Sequence, residues 1–137
     1  MSVARPKAGE KSAQGGARGR KRGVEVRRAV RRRLHAVGLL EHFIAVCGGD
    51  EVRRGKPDPE LYTLALARLN AAANTTIAFE DSGHGVQAAL AAGLATVAVP
   101  DLKAPAPEWL ARCHAVLPSL DAACEHSPDW FGVICAG

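Results

Sequence analysis

Two short stretches of the chain carry residue types that can do chemistry. The first is Gly55-Lys56-Pro57-Asp58-Pro59-Glu60, which sets a lysine just ahead of a helix start. The second is Ala78-Phe79-Glu80-Asp81-Ser82-Gly83-His84-Gly85-Val86, which sets an acidic pair after an apolar run. A cation and a metal-seeking carboxylate brought to neighbouring strand ends are what phosphoryl transfer requires, because that chemistry is mostly positioning and charge stabilisation. Lys56 can hold a transferring phosphate or neutralise a carboxylate beside it. Asp81 is assigned the direct contact with a metal, and Glu80, whose side chain must point elsewhere, acts through water or a neighbour. The plain structural readings are a solvated lysine at a helix start and an acidic N-cap. Finding both stretches in one chain favours the chemical reading.

Elements that would position these groups follow from the pattern around them. Asp58 and Pro59 read as an N-cap and first helical residue, and the helix then offers Leu61, Leu64, Ala65 and Leu69 to a core. Thr75 to Phe79 reads as a strand with Glu80 and Asp81 at its carboxyl end. Ser82 caps a helix over about 83–92 that Gly93 stops, and Gly85 allows close backbone approach. Further buried strands are expected at 43–47, 95–99 and 115–117, with a helix near 107–113. Val26, Val30, Leu34 and Val37 recur at helical spacing, and Gly38 ends that helix. Apolar strands alternating with helices imply an α/β fold with a parallel sheet covered on both faces, whose ligands bind beyond the carboxyl strand ends.

Composition narrows the setting. The 137 residues suffice for one domain, and three Phe, two Trp and one Tyr leave the core to aliphatic residues. No apolar run reaches the roughly 18 residues of a membrane span. No apolar segment follows the basic start, and its Gly and Pro count against a targeting helix, so a cytoplasmic protein is expected. The four cysteines form no CxxC pair and are expected as free thiols. Residues 1–33 carry a net charge of +10 and residues 34–137 a net charge of −6. The basic excess therefore belongs to a tail, residues 1–23, expected to be disordered, ahead of a domain over 24–137.

From about Val26 to Leu120 the sequence resembles the C-terminal half of haloacid dehalogenase-superfamily phosphohydrolases. The resemblance is greatest to the phosphoglycolate phosphatase, β-phosphoglucomutase and pseudouridine-phosphatase group. Gly55-Lys56-Pro57-Asp58-Pro59-Glu60 looks like that family's third motif. Phe79-Glu80-Asp81-Ser82, with Gly85-Val86 and the small-residue run to Gly93, looks like its fourth. The resemblance implies a partial Rossmann-like parallel sheet with flanking helices. It implies Lys56 as the catalytic, phosphate-binding lysine, Asp81 and Glu80 as magnesium ligands, and Ser82 and Gly85 as supporting residues. A small phosphate monoester, a sugar phosphate or a nucleotide-like compound, is the implied substrate.

The family's nucleophile is the first aspartate of an Asp-x-Asp motif, with a substrate-selecting cap inserted after it. The six aspartates here are Asp50, Asp58, Asp81, Asp101, Asp121 and Asp129, and no two are spaced by two. The expectation is a truncated half-domain lacking the first strands, the nucleophile and the cap, and inactive by itself. The alternatives are a non-catalytic binding module completed by another chain and a nucleic-acid-binding protein using the basic arm. No aromatic residues interleave the arm's charges, so base stacking is not expected. Nucleic acid is thus the less favoured partner, and no membrane contact is expected.

Overall fold

The computed structural model describes residues 2–3 and 23–131. The chain runs β1 (Ser2–Val3), α1 (Gly23–Ala36), β2 (Ala45–Val46), α2 (Glu60–Leu69), β3 (Ile77–Glu80), α3 (Gly83–Ala91), β4 (Ala95–Ala98), α4 (Pro107–Leu110), β5 (Ala115–Val116) and α5 (Leu120–Phe131). The tail expected to be disordered falls mostly outside the described residues. Of it, Ser2–Val3 pairs antiparallel with Ala45–Val46, and Gly23 opens α1.

The main sheet is parallel, in the order β3-β4-β5. Ile77 to Glu80 lie opposite Ala95 to Ala98, and Val97 and Ala98 lie opposite Ala115 and Val116. This is the α/β architecture that the apolar strands require: Val97 and Ala98 have no exposed surface, and Ala78 is almost fully covered. β2 stands outside this sheet, pairing with β1. Among the described residues β3 therefore has a strand neighbour on one side, at β4.

Two apolar clusters hold the helices in place. Tyr62, Ala78, Ala88, Ala89 and Leu94 form one, with Leu66, Ala73 and Ala92 against it. Cys47, Leu61 and Ala65 form the other, with Val52 and Leu64 beside them. Alanines at 88 and 89, both without exposed surface, let α3 lie close on the sheet. α2 ends where Asn70 takes the left-handed conformation (φ 48°) and Ala71 N–H donates to the Leu66 carbonyl at 3.0 Å. α1 is capped from a distance: the Val26 and Arg27 N–H groups donate to Asp50 Oδ2 at 3.1 and 3.4 Å. No helix among the described residues is long and apolar enough to cross a membrane.

The strands are shorter than the sequence suggested. The run at 43–47 yields two strand residues, Ala45–Val46, because a strand's length is set by its pairing partner and β1 offers two residues. α2 begins at Glu60, whose N–H donates to Asp58 Oδ1 at 3.0 Å, so Asp58 serves as a local turn anchor. α5 was not anticipated.

Candidate functional site

The acidic pair sits where the topology directs it, at the carboxyl end of β3 in the turn into α3. Ser82 caps that helix, its Oγ accepting from Gly85 N–H at 3.1 Å. The N-cap was legible from the sequence, because Ser is a favoured cap residue and small residues follow it.

Lys56 approaches from the loop ahead of α2. Its Nζ donates to Glu80 Oε1 at 2.5 Å, across 24 residues of sequence. The same carboxylate oxygen accepts from the Tyr62 hydroxyl. Glu80 is 6% exposed and Tyr62 1% exposed, so this is a buried carboxylate with one charged and one neutral donor. Such a group is tolerable in a core only because it is paired and hydrogen-bonded. The other oxygen, Oε2, lies against Gly85, where a Cβ would collide with the carboxylate. Gly85 is thus required by the acid beside it, a close approach that needs a residue without a side chain.

The Tyr62 hydroxyl is held in its protonated form. Burial is the largest cause of its raised pKa, followed by the Glu80 charge, the hydrogen bond to Glu80 and the Asp81 charge. The phenol is therefore a donor. Lys56 Nζ also lies 5.6 Å from the Tyr62 ring centroid. Tyr62 was missed as a polar group by the sequence reading, which counted it toward the aromatic content. The signal was available: a buried tyrosine hydroxyl usually finds a partner, and this is the single tyrosine in the chain.

Asp81 and Ser82 are exposed at the same strand end. Asp81 makes no side-chain hydrogen bond or ion pair with the described residues. Lys56, Glu80, Ser82 and Gly85 are thus brought together around one strand end, with Asp81 adjacent in sequence and facing solvent. The division between the two acids has a physical basis. Glu80 is the last residue of β3 and turns into the molecule, while Asp81 lies in the turn beyond the strand and is exposed.

Whether magnesium suits these residues can be judged from the donors. Asp81 offers a hard, exposed carboxylate, while Glu80 beside it is buried with its oxygens engaged by Lys56, Tyr62 and Gly85. Among the described residues, no three or more His, Cys, Asp or Glu side chains gather as a metal-binding group. A cation here would complete its shell with water and ligand oxygens, which is magnesium's habit. The donor set fits that ion.

A second polar knot lies on the far side of α2. Arg68 bridges Glu51 through both nitrogens, at 3.1 and 2.5 Å, and also reaches Cys47 Sγ and the Val46 carbonyl, each at 3.3 Å. Burial would raise the Glu51 carboxyl. The Arg68 and Gly48 hydrogen bonds and the Arg68 and Arg27 charges outweigh it and hold the group below its ordinary value. Cys47 and Cys113 carry free thiols, as the sequence implied.

Comparison with known proteins assigns the chain a family. The sequence pattern of the haloacid dehalogenase-like hydrolases matches residues 24–99. A phosphorylated carbohydrates phosphatase of Thermotoga maritima is 47% identical over 62 residues, covering 45% of this chain and 29% of that protein. A fructose-1-phosphate phosphatase of Escherichia coli is 38% identical over 66 residues, covering 48% of this chain and 35% of that protein. Among solved structures, CbbY of Rhodobacter sphaeroides in complex with phosphate superposes with a TM-score of 0.59 at 30% identity, over 69% of this chain and 41% of that one. The chain thus spans well under two thirds of the length of each of these relatives.

Proposed function

The chain belongs to the haloacid dehalogenase-like hydrolases, and from that premise we propose that it carries the charge-stabilising half of a phosphohydrolase site. In this reading Lys56 binds the phosphoryl group of a small phosphate monoester. Asp81 holds magnesium directly, and Glu80 supports it. The observation that carries the proposal is the Lys56–Glu80 contact beside Asp81 at the carboxyl end of β3.

Each residue then has a defined task. Glu80, buried and accepting from Lys56 and Tyr62, fixes the ammonium at the strand end. Lys56 is 26% exposed at its side chain, so it can face an anion from outside while tied to Glu80 from within. Ser82 and Gly85 close the first turn of α3, which presents backbone N–H groups and the positive end of the helix dipole near the same place. Magnesium, when bound at the acidic pair, would supply charge neutralisation for phosphate oxygens. No aspartate pair of the Asp-x-Asp type occurs in the 137 residues, so the nucleophile is not among the groups proposed. Stabilising groups without a nucleophile bind phosphate and do not turn it over. Two relatives named for carbohydrate phosphates favour a sugar phosphate as the ligand class.

The test is a hydrolysis assay on the purified chain with a panel of sugar phosphates and nucleotides, with and without magnesium. No turnover is expected. Magnesium-dependent turnover abolished by Asp81→Ala would keep the site and overturn the missing nucleophile. Turnover untouched by Asp81→Ala would overturn the site itself.

A further inference from the structure

Resting on the reading of Lys56, Glu80 and Asp81 as a phosphate and metal site, we infer that Tyr62 is a positioning residue of that site, its phenol fixing the Glu80 carboxylate at the end of β3. Four segments meet at this carboxylate. The Tyr62 hydroxyl comes from α2, Lys56 from the loop before it, Glu80 from β3 and Gly85 from α3. Tyr62 and Lys56 share Oε1, while Oε2 is pressed on the Gly85 backbone. The two donors differ in kind. The lysine ammonium rides on a flexible four-carbon stem, partly exposed. The tyrosine ring is packed among Ala78, Ala88, Ala89 and Leu94, so its oxygen is a fixed point of the core.

A carboxylate held only by Lys56 would follow the lysine whenever the ammonium turned to an anion outside. The phenol prevents that. It keeps Glu80 in register with Asp81 while Lys56 exchanges between the carboxylate and a ligand. Groups that orient a metal-binding carboxylate from behind commonly change metal affinity without touching the ion.

The chain has one tyrosine, which makes the contact directly observable. With 13Cζ-labelled tyrosine, the resonance of Tyr62 should move when Glu80→Gln replaces the charged acceptor by a neutral amide. A resonance indifferent to Glu80→Gln overturns the inference, and this arm does not depend on any metal. In the second arm Mn2+ serves as a spectroscopic stand-in for the divalent ion. Tyr62→Phe keeps the ring in the core, so it should retain a cooperative melt while binding Mn2+ roughly tenfold or more weakly. Equal Mn2+ affinity in parent and variant overturns the positioning role. If the parent itself binds no Mn2+, the metal-site reading fails. The tyrosine resonance then still decides whether the phenol holds Glu80.

Discussion

Two buried or half-buried acids in this molecule are treated very differently. Glu80, at the carboxyl end of β3, has donors from Lys56 and Tyr62 on one oxygen and the Gly85 backbone packed against the other. Asp50, in the turn after β2, caps α1 with Oδ2 but leaves Oδ1 buried without a hydrogen-bond partner among the described residues. The surroundings follow the same division. Around Glu80 the strands β3, β4 and β5 pair in register and bury Ala78, Val97 and Ala98, although Phe79 and Val116 of the same sheet stay 38% and 47% exposed. Around α1 and β2, Val26, Val37, Leu39 and Ile44 remain about half exposed or more. The packed junction of β3 with α2 and α3 satisfies the acid it buries. The turn after the two-residue strand β2 satisfies only one oxygen of its acid.

That contrast ranks the effect of substitutions. The largest loss is expected at Lys56→Met, which leaves the buried Glu80 carboxylate with a single neutral donor. Breaking a buried pair in this way should cost about 3 kcal/mol in urea unfolding. A loss below about 0.5 kcal/mol, the range of ordinary surface changes, would erase the distinction between the two regions. Next comes Gly85→Ala. Its methyl group would displace a carboxylate that is already pinned by two donors, and overpacking of this kind should cost about 2 kcal/mol. Thermal melts of the parent and variant check it, and an unchanged or raised midpoint would contradict the close approach.

The third effect is in the pH dependence of the α1 side. Glu51 titrates below its ordinary value of 4.5 when folded, so its partnership with Arg68 adds stability above that pH. The contribution fades as pH falls through the lowered folded value, because the unfolded chain then binds the proton more readily. Stability measured from pH 6 down to pH 3 should show the parent and Glu51→Gln converging in acid. A gap that stays constant would remove Glu51 from the account. Smallest of all, Val37→Ser should change stability by no more than about 0.5 kcal/mol, since Val37 is 67% exposed. A larger loss in chemical denaturation would mean that this edge is packed after all.

The same contrast explains what could be read from the sequence. Lys56 and Glu80 were legible because their neighbours are unusual: prolines around the lysine, and an acidic pair followed by Ser, Gly and a run of small residues. The strand at 95–98 and the capped helix α3 were legible from apolar runs and from Ser82 and Gly93. Tyr62 was not, because its position in α2 is set by apolar spacing, and only the tertiary approach of β3 turns its hydroxyl toward an acid. The split between Glu80 and Asp81 came out with Glu80 as the buried partner of Lys56, a detail that depends on strand orientation. The brevity of β2 was hidden, since pairing comes from residues distant in sequence. α5 was hidden too: it contains Pro128, which in a sequence reads as a helix breaker.

The most direct measurement is a calorimetric titration of inorganic phosphate into the purified chain, with and without magnesium, repeated on Lys56→Met and Asp81→Asn. If Lys56 and the acidic pair form one phosphate and metal site, magnesium strengthens phosphate binding in the parent. Asp81→Asn removes that coupling, and Lys56→Met weakens binding under both conditions. Phosphate binding indifferent to magnesium and to both substitutions, or no binding at all, would contradict the account.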